Sequence, residues 1–255
     1  MTARTTGTAV LSFRFYAQLN DFLPAVRRYR RFHHQLPGPA SVKDVIESLG
    51  VPHPEVDVIV VNGIPEPFAY RLDDGDHVSV YPCFTAIDVS AVPRVGVVPT
   101  EPIRFVVDVH LGKLASFLRL GGFDAVVMAD DEAAAETSAH DRRVLLTRDV
   151  GLLKRGVVTV GYWVRSTNPE EQLAEVLARY DLVERVDPFS RCMRCNTFLI
   201  DANAEAVAPR ILPGTREGFR EFRECLHCGR VYWRGSHYEQ LLAVLNRVRR
   251  RATAR

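Results

Sequence analysis

Residues 103–149 read IRFVVDVHLGKLASFLRLGGFDAVVMADDEAAAETSAHDRRVLLTRD, and this stretch alternates short apolar runs with helical segments. IRFVVDVH is a nearly continuous apolar run, as expected of a strand that is covered on both faces. In LGKLASFLRLGG, apolar residues recur at helical spacing from Leu111 to Leu118, and Gly121-Gly122 ends the helix. FDAVVMADD and RRVLLTRD predict two further strands. The alternation predicts a parallel α/β unit.

The α/β pattern continues beyond residue 149. GLLKR predicts a short helix, VVTVGYWV predicts a fourth strand, and a last helix is expected from about Pro169 to Tyr180. We therefore expect a parallel α/β domain over residues 103–187.

The first 85 residues show a different pattern. AVLSFRFY, at residues 9–16, alternates like a strand, and Ser41 is placed to cap a helix over SVKDVIESLGV. VDVIVVNGIP predicts a strand that turns at Asn62-Gly63, and LDDGDHVSVYP predicts a last strand. We expect an α+β unit over residues 1–85, with one helix on a small sheet. Residues 86–102 contain three prolines and no helical period, which predicts a linker.

Two CxxC pairs lie in the segment 188–255, which ends in a predicted basic helix. Each pair places two thiolates on one tight turn, and two such turns supply four soft ligands for zinc. A site with four protein ligands has no open position, so the zinc is expected to be structural. His227 lies inside the second pair and is an alternative ligand, although a role near the site or in solvent is preferred. The predicted ligands are Cys192, Cys195, Cys225 and Cys228.

Aspartates follow three of the predicted strands, namely Asp108, the pair Asp130 and Asp131, and Asp149. The carboxyl ends of parallel strands lie at one edge of a sheet, so these side chains are candidates to converge there. Clustered carboxylates require a cation, and Mg²⁺ and Mn²⁺ prefer oxygen ligands. The alternative is structural, because an aspartate after a strand is a common helix N-cap.

The formal net charge is only +2, but the basic residues are unevenly distributed. Residues 27–31 read RRYRR and the chain ends in NRVRRRATAR, and such clusters attract phosphate unless they are simply solvated. The cysteine-containing segment also combines basic and aromatic residues, including Tyr232, Trp233, Arg234 and His237. These residues predict an RNA surface, with packing beside the zinc as the alternative. We find no signal peptide or membrane-spanning run and expect a cytoplasmic protein without membrane contact.

The N-terminal segment resembles the β-grasp (ubiquitin-like) sulfur carriers in FRFYAQL, SVKDVIESLG, VIVVNGIP and DGDHVSVYP. Those carriers end in a free Gly-Gly, whereas here the last strand continues into PCFTAIDVSAV. The resemblance therefore implies a β-grasp fold with a binding or docking role, and a protein partner is expected at this domain.

The rest of the chain resembles the mut-seven C-terminal RNase domain, a PIN-like nuclease family, in VVDVHLGKLASFLRLGGFDAVV, RRVLLTRDVGLLKR and RCMRCNTFLI with CLHCGRVYWRGSHY. Some bacterial members also carry a ubiquitin-like domain in front. The resemblance implies an acidic site and basic positions that meet phosphates. Asp124 also matches a family aspartate, but it begins a predicted strand, so a structural role is expected for it. The implied acidic site is Asp108, Asp131 or its neighbour Asp130, and Asp149, and the basic positions are Lys113, Arg119 and Arg148.

These observations together predict a chain of α/β and α+β domains: a β-grasp domain, a PIN-like parallel sheet and a zinc ribbon. The predicted function is a Mg²⁺- or Mn²⁺-dependent ribonuclease, endonucleolytic in action, for structured RNA such as tRNA or rRNA. The first alternative is a non-catalytic RNA- or ribosome-binding protein that keeps a nuclease-like fold. The second is an interaction adaptor in which the ubiquitin-like domain does the main work.

Overall fold

The computed structural model describes residues 8–83, 91–212, 214 and 218–253, apart from the side chains of residues 236–238, 240, 241, 249 and 251–253. Two compact units divide the chain. One comprises Met1–Thr100 and Ala135–Trp163, and the other comprises Glu101–Ala134 and Val164–Arg255. Within the described residues, no helix has both the length and the apolar composition needed to cross a membrane.

The N-terminal part of the first unit is a five-stranded mixed sheet with the strand order β2-β1-β5-β3-β4. Strand β1 pairs antiparallel with β2 and parallel with β5, and β3 pairs antiparallel with β5. This arrangement, with helix α1, confirms the predicted β-grasp fold. The elements are β1 (Ala9–Phe15), β2 (Phe32–Leu36), α1 (Val42–Ser48), β3 (Val56–Val61), β4 (Ile64–Pro65) and β5 (His77–Pro82).

Helix α1 begins where the sequence predicts. The Ser41 hydroxyl accepts a hydrogen bond from the Asp44 amide at 3.2 Å, and the Asp44 carboxylate accepts one from the Ser41 amide at 3.3 Å. This reciprocal capping box satisfies backbone donors that the first turn of a helix leaves unpaired. The buried face of the helix then packs Val42, Val45 and Ile46 onto the apolar side of the sheet.

The first unit also contains the second half of the predicted α/β pattern. Strand β8 (Val144–Thr147) is fully buried and pairs in parallel with β9 (Gly161–Trp163). The short helix α4 (Val150–Leu153) lies between them in sequence.

Several contacts join this part to the β-grasp domain. The His53 ring lies between the Glu47 carboxylate and the Val158 carbonyl, at 2.7 Å from each. The Trp163 amide donates to the Glu55 carboxylate at 2.7 Å, and the Trp163 ring packs on Phe22 with the centroids 5.0 Å apart. The first unit is therefore a β-grasp domain packed against a strand-helix-strand segment.

The second unit begins with β6 (Phe105–Asp108), α2 (Gly112–Leu120) and β7 (Ala125–Met128). Strands β6 and β7 pair in parallel. Helix α3 (Asp131–His140) follows β7, and α5 (Pro169–Arg179) follows β9. The parallel α/β fold of the central region is thus confirmed.

The end of the second unit is a small antiparallel sheet of β10 (Ile200–Ala202), β11 (Phe222–Glu224) and β12 (Val231–Trp233). The short helix α6 (Ala204–Val207) lies between β10 and β11. A final helix, α7 (Ser236–Thr253), is joined to α5 by an ion pair between Arg247 and Glu170 at 2.9 Å. The small sheet and the cysteine cluster beside it have the form of the predicted zinc ribbon.

Candidate functional site

Asp108 ends strand β6 inside the second unit. The three residues before it are fully buried, and Asp108 itself is 8% exposed. Its Oδ1 accepts a hydrogen bond from the His110 amide at 2.9 Å, which closes the turn from the strand into the following helix. The carboxyl end of a parallel strand is where open α/β sheets bind their ligands.

Asp130 and Asp131 follow the neighbouring strand. Asp108 is in register with Met128 of β7, so the aspartate pair continues β7 at the same edge of the sheet. Asp130 caps α3 by accepting a hydrogen bond from the Ala133 amide at 2.8 Å. Asp131 is the first residue of α3 and is exposed. The second unit thus places Asp108 and the aspartate pair at one edge of the two strands. Among the described residues, however, the gathered group of potential metal ligands is the cysteine cluster and not these carboxylates.

Asp149 follows strand β8 in the first unit. It is exposed, and its Oδ1 accepts hydrogen bonds from the amides of Gly151 at 2.6 Å and Leu152 at 3.3 Å. A Cβ at position 151 would lie 3.0 Å from this oxygen, so glycine there allows the close approach of the carboxylate. Because Asp149 belongs to a different compact unit from Asp108, its convergence with the other aspartates stays a prediction.

Two of these aspartates also have the structural role that the sequence offered as an alternative to metal binding. Asp130 and Asp149 both act as helix caps, and capping normally contributes about 1 kcal/mol. In both residues the capping bonds use Oδ1. A carboxylate has two oxygens that both accept, so one oxygen can cap while the other binds a cation. Capping and metal binding are compatible at these positions.

The predicted phosphate-binding residues lie in contrasting environments. Lys113 is exposed in the first turn of α2, and Arg148 is exposed directly before Asp149. The Arg148 carbonyl accepts a hydrogen bond from the Trp163 indole at 3.0 Å, which holds the backbone beside Asp149. Both side chains have the exposure that a contact with a phosphodiester requires.

Arg119 is 8% exposed, and its guanidinium binds three backbone carbonyls. It donates to Ala125 at 2.8 Å, to Met193 at 3.1 Å and to Arg194 at 2.8 Å. Burial lowers the pKa of this guanidinium from its usual value. These bonds join α2, the start of β7 and the first cysteine turn, and a phosphate contact by Arg119 stays a prediction.

The two CxxC turns share one backbone pattern. The amide of Cys192 donates to the carbonyl five residues ahead at 2.8 Å, and the carbonyl of Cys192 accepts from the amide four residues ahead at 2.9 Å. The same two bonds recur at Cys225, at 2.9 and 2.8 Å. The fifth residue of each turn, Asn196 or Gly229, has a positive φ, at 67° and 70°. Glycine and asparagine tolerate this conformation better than other residues.

The four cysteine sulfurs face one another. The Sγ atoms of Cys192 and Cys228 are 3.6 Å apart, those of Cys195 and Cys225 are 3.3 Å apart, and all four lie within 4.8 Å of one another. Zn–S bonds of about 2.3 Å in a tetrahedron place sulfurs about 3.8 Å apart. The cluster therefore fits a zinc ion. Among the described residues, these four cysteines are the one group of three or more potential metal ligands whose side chains lie this close together.

Burial and hydrogen bonds within the cluster shift the pKa values of two of its thiols in opposite directions. Burial alone would raise the pKa of Cys192, but hydrogen bonds from the Tyr232 hydroxyl and from the amides of Cys195 and Arg194 lower it to about 6. Burial and proton sharing with Cys225 and Cys192 raise the pKa of Cys195 to about 12. Cys192 therefore ionises more readily than Cys195, and a bound cation would favour the thiolate form of both.

A cleft of about 590 Å³ lies beside β11 and β12. It is lined by Phe189, Tyr232 and Trp233 and by three arginines, including the predicted RNA contact Arg234. Arg234 pairs with Glu221 at 3.1 Å. The side chain of His237, the other predicted contact, lies outside the described residues. His227 is exposed and is not part of the cysteine cluster.

Two features of the site were missed by sequence reasoning. Asn196 donates to the Asp124 carboxylate at 2.8 Å and accepts from the Ala125 amide at 3.1 Å, which anchors the first cysteine turn to β7. This bond agrees with a structural role for Asp124. Trp163 supports the Arg148 backbone, and only the tertiary structure shows that the indole reaches it.

The chain thus combines a parallel α/β domain, with acidic residues at the ends of two neighbouring strands, and a four-cysteine ribbon. The family model described as Mut7-C RNAse domain matches residues 103–245, more than half of the chain, and the chain therefore belongs to this family. The model described as Mut7-C ubiquitin matches residues 8–88. No curated protein and no solved structure shows significant similarity to the chain. Family membership supports a nuclease-like, RNA-related function.

Proposed function

We propose that this protein is a Mg²⁺- or Mn²⁺-dependent endoribonuclease that acts on structured RNA such as tRNA or rRNA. The observation that carries the proposal is the placement of Asp108 and the Asp130–Asp131 pair at one edge of two neighbouring parallel strands. Membership of the RNase domain family supports the choice of an RNA substrate.

The chemistry of the acidic residues favours a hard divalent cation, because carboxylate oxygens are the ligands that Mg²⁺ and Mn²⁺ prefer. Asp108, Asp131 with its neighbour Asp130, and Asp149 would hold the ion. When bound, such an ion supplies a nucleophilic water and offsets the charge on the phosphodiester. The buried position of Asp108 and the caps at Asp130 and Asp149 fix three of the carboxylates before any ligand arrives.

Basic residues around the acidic edge would bind the RNA. Lys113 and Arg148 are exposed and are assigned to phosphates close to the cleaved bond. Arg119 is buried and holds three backbone carbonyls, so its contribution is assigned mainly to structure. Arg234 and His237 of the ribbon are assigned to RNA further from the cleaved bond.

The test compares RNA cleavage by the wild type with cleavage by Asp108→Asn and Asp149→Asn. Asparagine keeps the ability to cap while removing the charge, so the substitution separates chemistry from folding. Total tRNA and rRNA are incubated with Mn²⁺ or without added divalent ion, and products are resolved on denaturing gels. We expect Mn²⁺-dependent cleavage by the wild type and a loss of at least 100-fold in each variant, since removing a metal ligand weakens metal affinity and catalysis.

Asp181→Asn is the matched control. Asp181 is exposed, follows α5 and has a φ of 51°, which asparagine accepts. Its cleavage rate is expected to equal that of the wild type. Cleavage that persists in Asp108→Asn, or that needs no divalent ion, would contradict the proposal.

A second candidate function is non-catalytic binding of RNA. It is favoured by the helix-capping bonds of Asp130 and Asp149, which explain these aspartates without a metal. Titration calorimetry with Mn²⁺ separates the two candidates. Binding of Mn²⁺ by the wild type and not by Asp108→Asn supports the enzyme, whereas no binding by either, with RNA affinity retained, supports the binding protein.

A further inference from the structure

We propose that the exposed face and basic edge of the β-grasp sheet form a binding surface for single-stranded RNA. The surface, called here the basic sheet face, comprises Arg14, Tyr16, Tyr81, His33 and the edge residues 27–31. The inference rests on the proposed function only in taking RNA as the ligand, because the binding step requires no cleavage.

The alternation of strand β1 defines this face. Leu11, Phe13 and Phe15 are at most 1% exposed and point into the core that α1 covers. Side chains alternate along a strand, so Arg14 projects from the opposite face, and it is exposed. Strand β2 is the terminal strand of the sheet on this side, so its outer edge has no strand neighbour in the described sheet.

Aromatic rings form a column on the basic sheet face. The rings of Tyr16 and Tyr81 stack with centroids 4.2 Å apart and planes inclined by 14°. The Arg14 guanidinium lies over the Tyr16 ring at 4.9 Å from its centroid. Nucleic-acid bases stack on tyrosine rings and on guanidinium planes, and stacking is insensitive to base identity. Because the Tyr16 ring is already stacked on Tyr81 and covered by Arg14, a base would extend this column at its end.

The basic edge beside the column is held in a defined conformation. The Arg28 side chain donates to the Leu23 carbonyl at 2.7 Å, the Arg31 side chain donates to the Ser12 hydroxyl at 3.3 Å, and the Arg27 guanidinium lies 5.0 Å from the Phe32 ring centroid. Each of these guanidinium groups retains further donors for a phosphate, because an arginine has five. Arg30 is exposed and adds a fourth positive charge.

The side chain of a buried asparagine stabilises the turn that contains these arginines. Asn20 is 1% exposed, and its side chain donates to the carbonyls of Phe15 at 3.0 Å and Ala17 at 2.9 Å. Its Oδ1 accepts from the Tyr29 amide at 2.7 Å. Tyr29 has a φ of 58°, which is uncommon for a tyrosine, and its side chain is 68% exposed. A buried polar side chain thus holds an exposed aromatic residue in the middle of four arginines.

The charge of the surface is not neutralised within the protein. Residues 24–36 contain no aspartate or glutamate. In the described part of the chain, none of Arg14, Arg27, Arg28, Arg30 and Arg31 forms an ion pair with a carboxylate. The cleft of the ribbon differs, because its Arg223 and Arg234 pair with Asp201 and Glu221. The basic sheet face is therefore the stronger candidate for a polyanion.

Two kinds of polyanion carry the complementary charge, namely RNA and an acidic protein segment. Four arginines in five residues serve either one, since guanidinium forks bind phosphate and carboxylate alike. The aromatic column decides in favour of RNA, because unpaired bases have two flat faces to stack and an acidic peptide has none.

The experiment measures the affinity of the full-length protein for a fluorescent, mixed-sequence 20-nucleotide RNA by anisotropy. Divalent ions are omitted to prevent cleavage, and intact RNA is verified on a gel. The test variant carries Arg14→Gln, Arg27→Gln and Arg30→Gln, which leaves the Arg28 and Arg31 hydrogen bonds in place. The control variant carries Arg71→Gln, Arg142→Gln and Arg155→Gln, three exposed arginines of the same unit. Both variants lower the net charge by three.

We expect the test variant to bind at least tenfold more weakly than the wild type at 100 mM salt, and the control variant to stay within threefold. The slope of log affinity against log salt should be shallower by about 2 in the test variant, since each phosphate contact with a single strand contributes about 0.7. Cleavage activity is not part of this readout, so a protein that binds but does not cleave would contradict the proposed function and leave this inference intact.

Equal losses in both variants would overturn the inference, because they would reveal a general charge effect. Unchanged binding in the test variant would overturn it as well. A further measurement compares the binding of a labelled poly-glutamate peptide with that of the RNA. If the wild type binds this peptide as tightly as the RNA and the test variant loses both equally, the surface is a general polyanion site and the assignment to RNA is wrong. Circular dichroism melting of both variants checks that neither result reflects unfolding.

Discussion

Capping and metal binding place two demands on the carboxylate of Asp149. Its Oδ1 satisfies two amides at the start of α4, so the side chain contributes to folding as well as to any chemistry. A helix of four residues has few other sources of stability, and its cap therefore matters more than in a long helix. The effect of a substitution at Asp149 depends on whether the new side chain still accepts a hydrogen bond.

The pair Asp149→Asn and Asp149→Ala separates these demands. We expect Asp149→Ala to lower the free energy of unfolding by about 1 kcal/mol, because the cap is lost, and Asp149→Asn to lower it by less than about half of that. Both variants should lack cleavage activity. Urea denaturation monitored by circular dichroism gives the stabilities. Equal stabilities of the two variants would show that the cap contributes nothing measurable.

At the scale of residues, the sequence located the ends of strands but not the environments of side chains. Asp108 ends β6, and Asp130 and Asp149 follow β7 and β8, as expected, because apolar runs followed by an acidic residue are easily recognised. The burial of Arg119 was not predicted, since its three carbonyl partners come from β7 and from the first cysteine turn. Such contacts depend on tertiary structure, which local patterns do not encode.

At the scale of elements, the two cysteine turns behave as equivalent modules. Each turn has the same pair of backbone hydrogen bonds and a positive φ at its fifth residue. The three short strands of the ribbon have three residues each, too few to form a stable sheet without further support. The metal supplies that support if it is bound, since structural zinc contributes on the order of 10 kcal/mol to folding.

Replacement of one ligand tests the metal site. We expect one zinc ion per chain in the wild type and a loss of zinc in Cys225→Ser, together with rapid hydrogen exchange of residues 192–233. Cys83→Ser is the control, because Cys83 lies outside the cluster, and it should retain full zinc occupancy. Atomic absorption measures the metal. Zinc retained in Cys225→Ser and lost in Cys83→Ser would disprove the assignment of the ligands.

The sequence predicted most elements but missed those without a regular pattern. The turn at Asn62-Gly63 and the helix capped by Ser41 were correct, because both depend on local chemistry. Strand β2 was not predicted, since FHHQL has two adjacent histidines and no run of β-branched residues. Its pairing with β1 and the ring contacts of Phe32 with Phe13 and Phe15 fix it as a strand. Tertiary packing overrides weak local propensity in such segments.

At the scale of the whole molecule, the compact units cut across the predicted α/β segment. Residues 135–163 belong to the same unit as the β-grasp domain, whereas residues 101–134 belong to the other unit. The predicted domain boundaries therefore stay predictions. Within the first unit, the β-grasp domain contacts the segment 135–163 through three residues. His53 bonds Val158, and Glu55 and Phe22 contact Trp163.

Removal of the His53 ring should weaken the first unit. His53 is 7% exposed and bonds both a carboxylate and a carbonyl, so we expect His53→Ala to lower the free energy of unfolding by about 1–3 kcal/mol. Hydrogen exchange in residues 150–163 should accelerate. His77→Ala is the control, because His77 is exposed, and its stability should match the wild type. Unchanged exchange in His53→Ala would show that the bond to Val158 does not hold the two segments together.

The discontinuous make-up of the first unit has a consequence for synthesis on the ribosome. The β-grasp segment is complete by Thr100, but its partner segment ends at Trp163. At typical translation rates the interval between these residues lasts roughly 3–13 s. During that time the nascent chain displays Phe22 and the buried Glu55 without the tryptophan that later contacts them. This part of the β-grasp domain therefore stays in contact with solvent until the segment that ends at Trp163 has emerged.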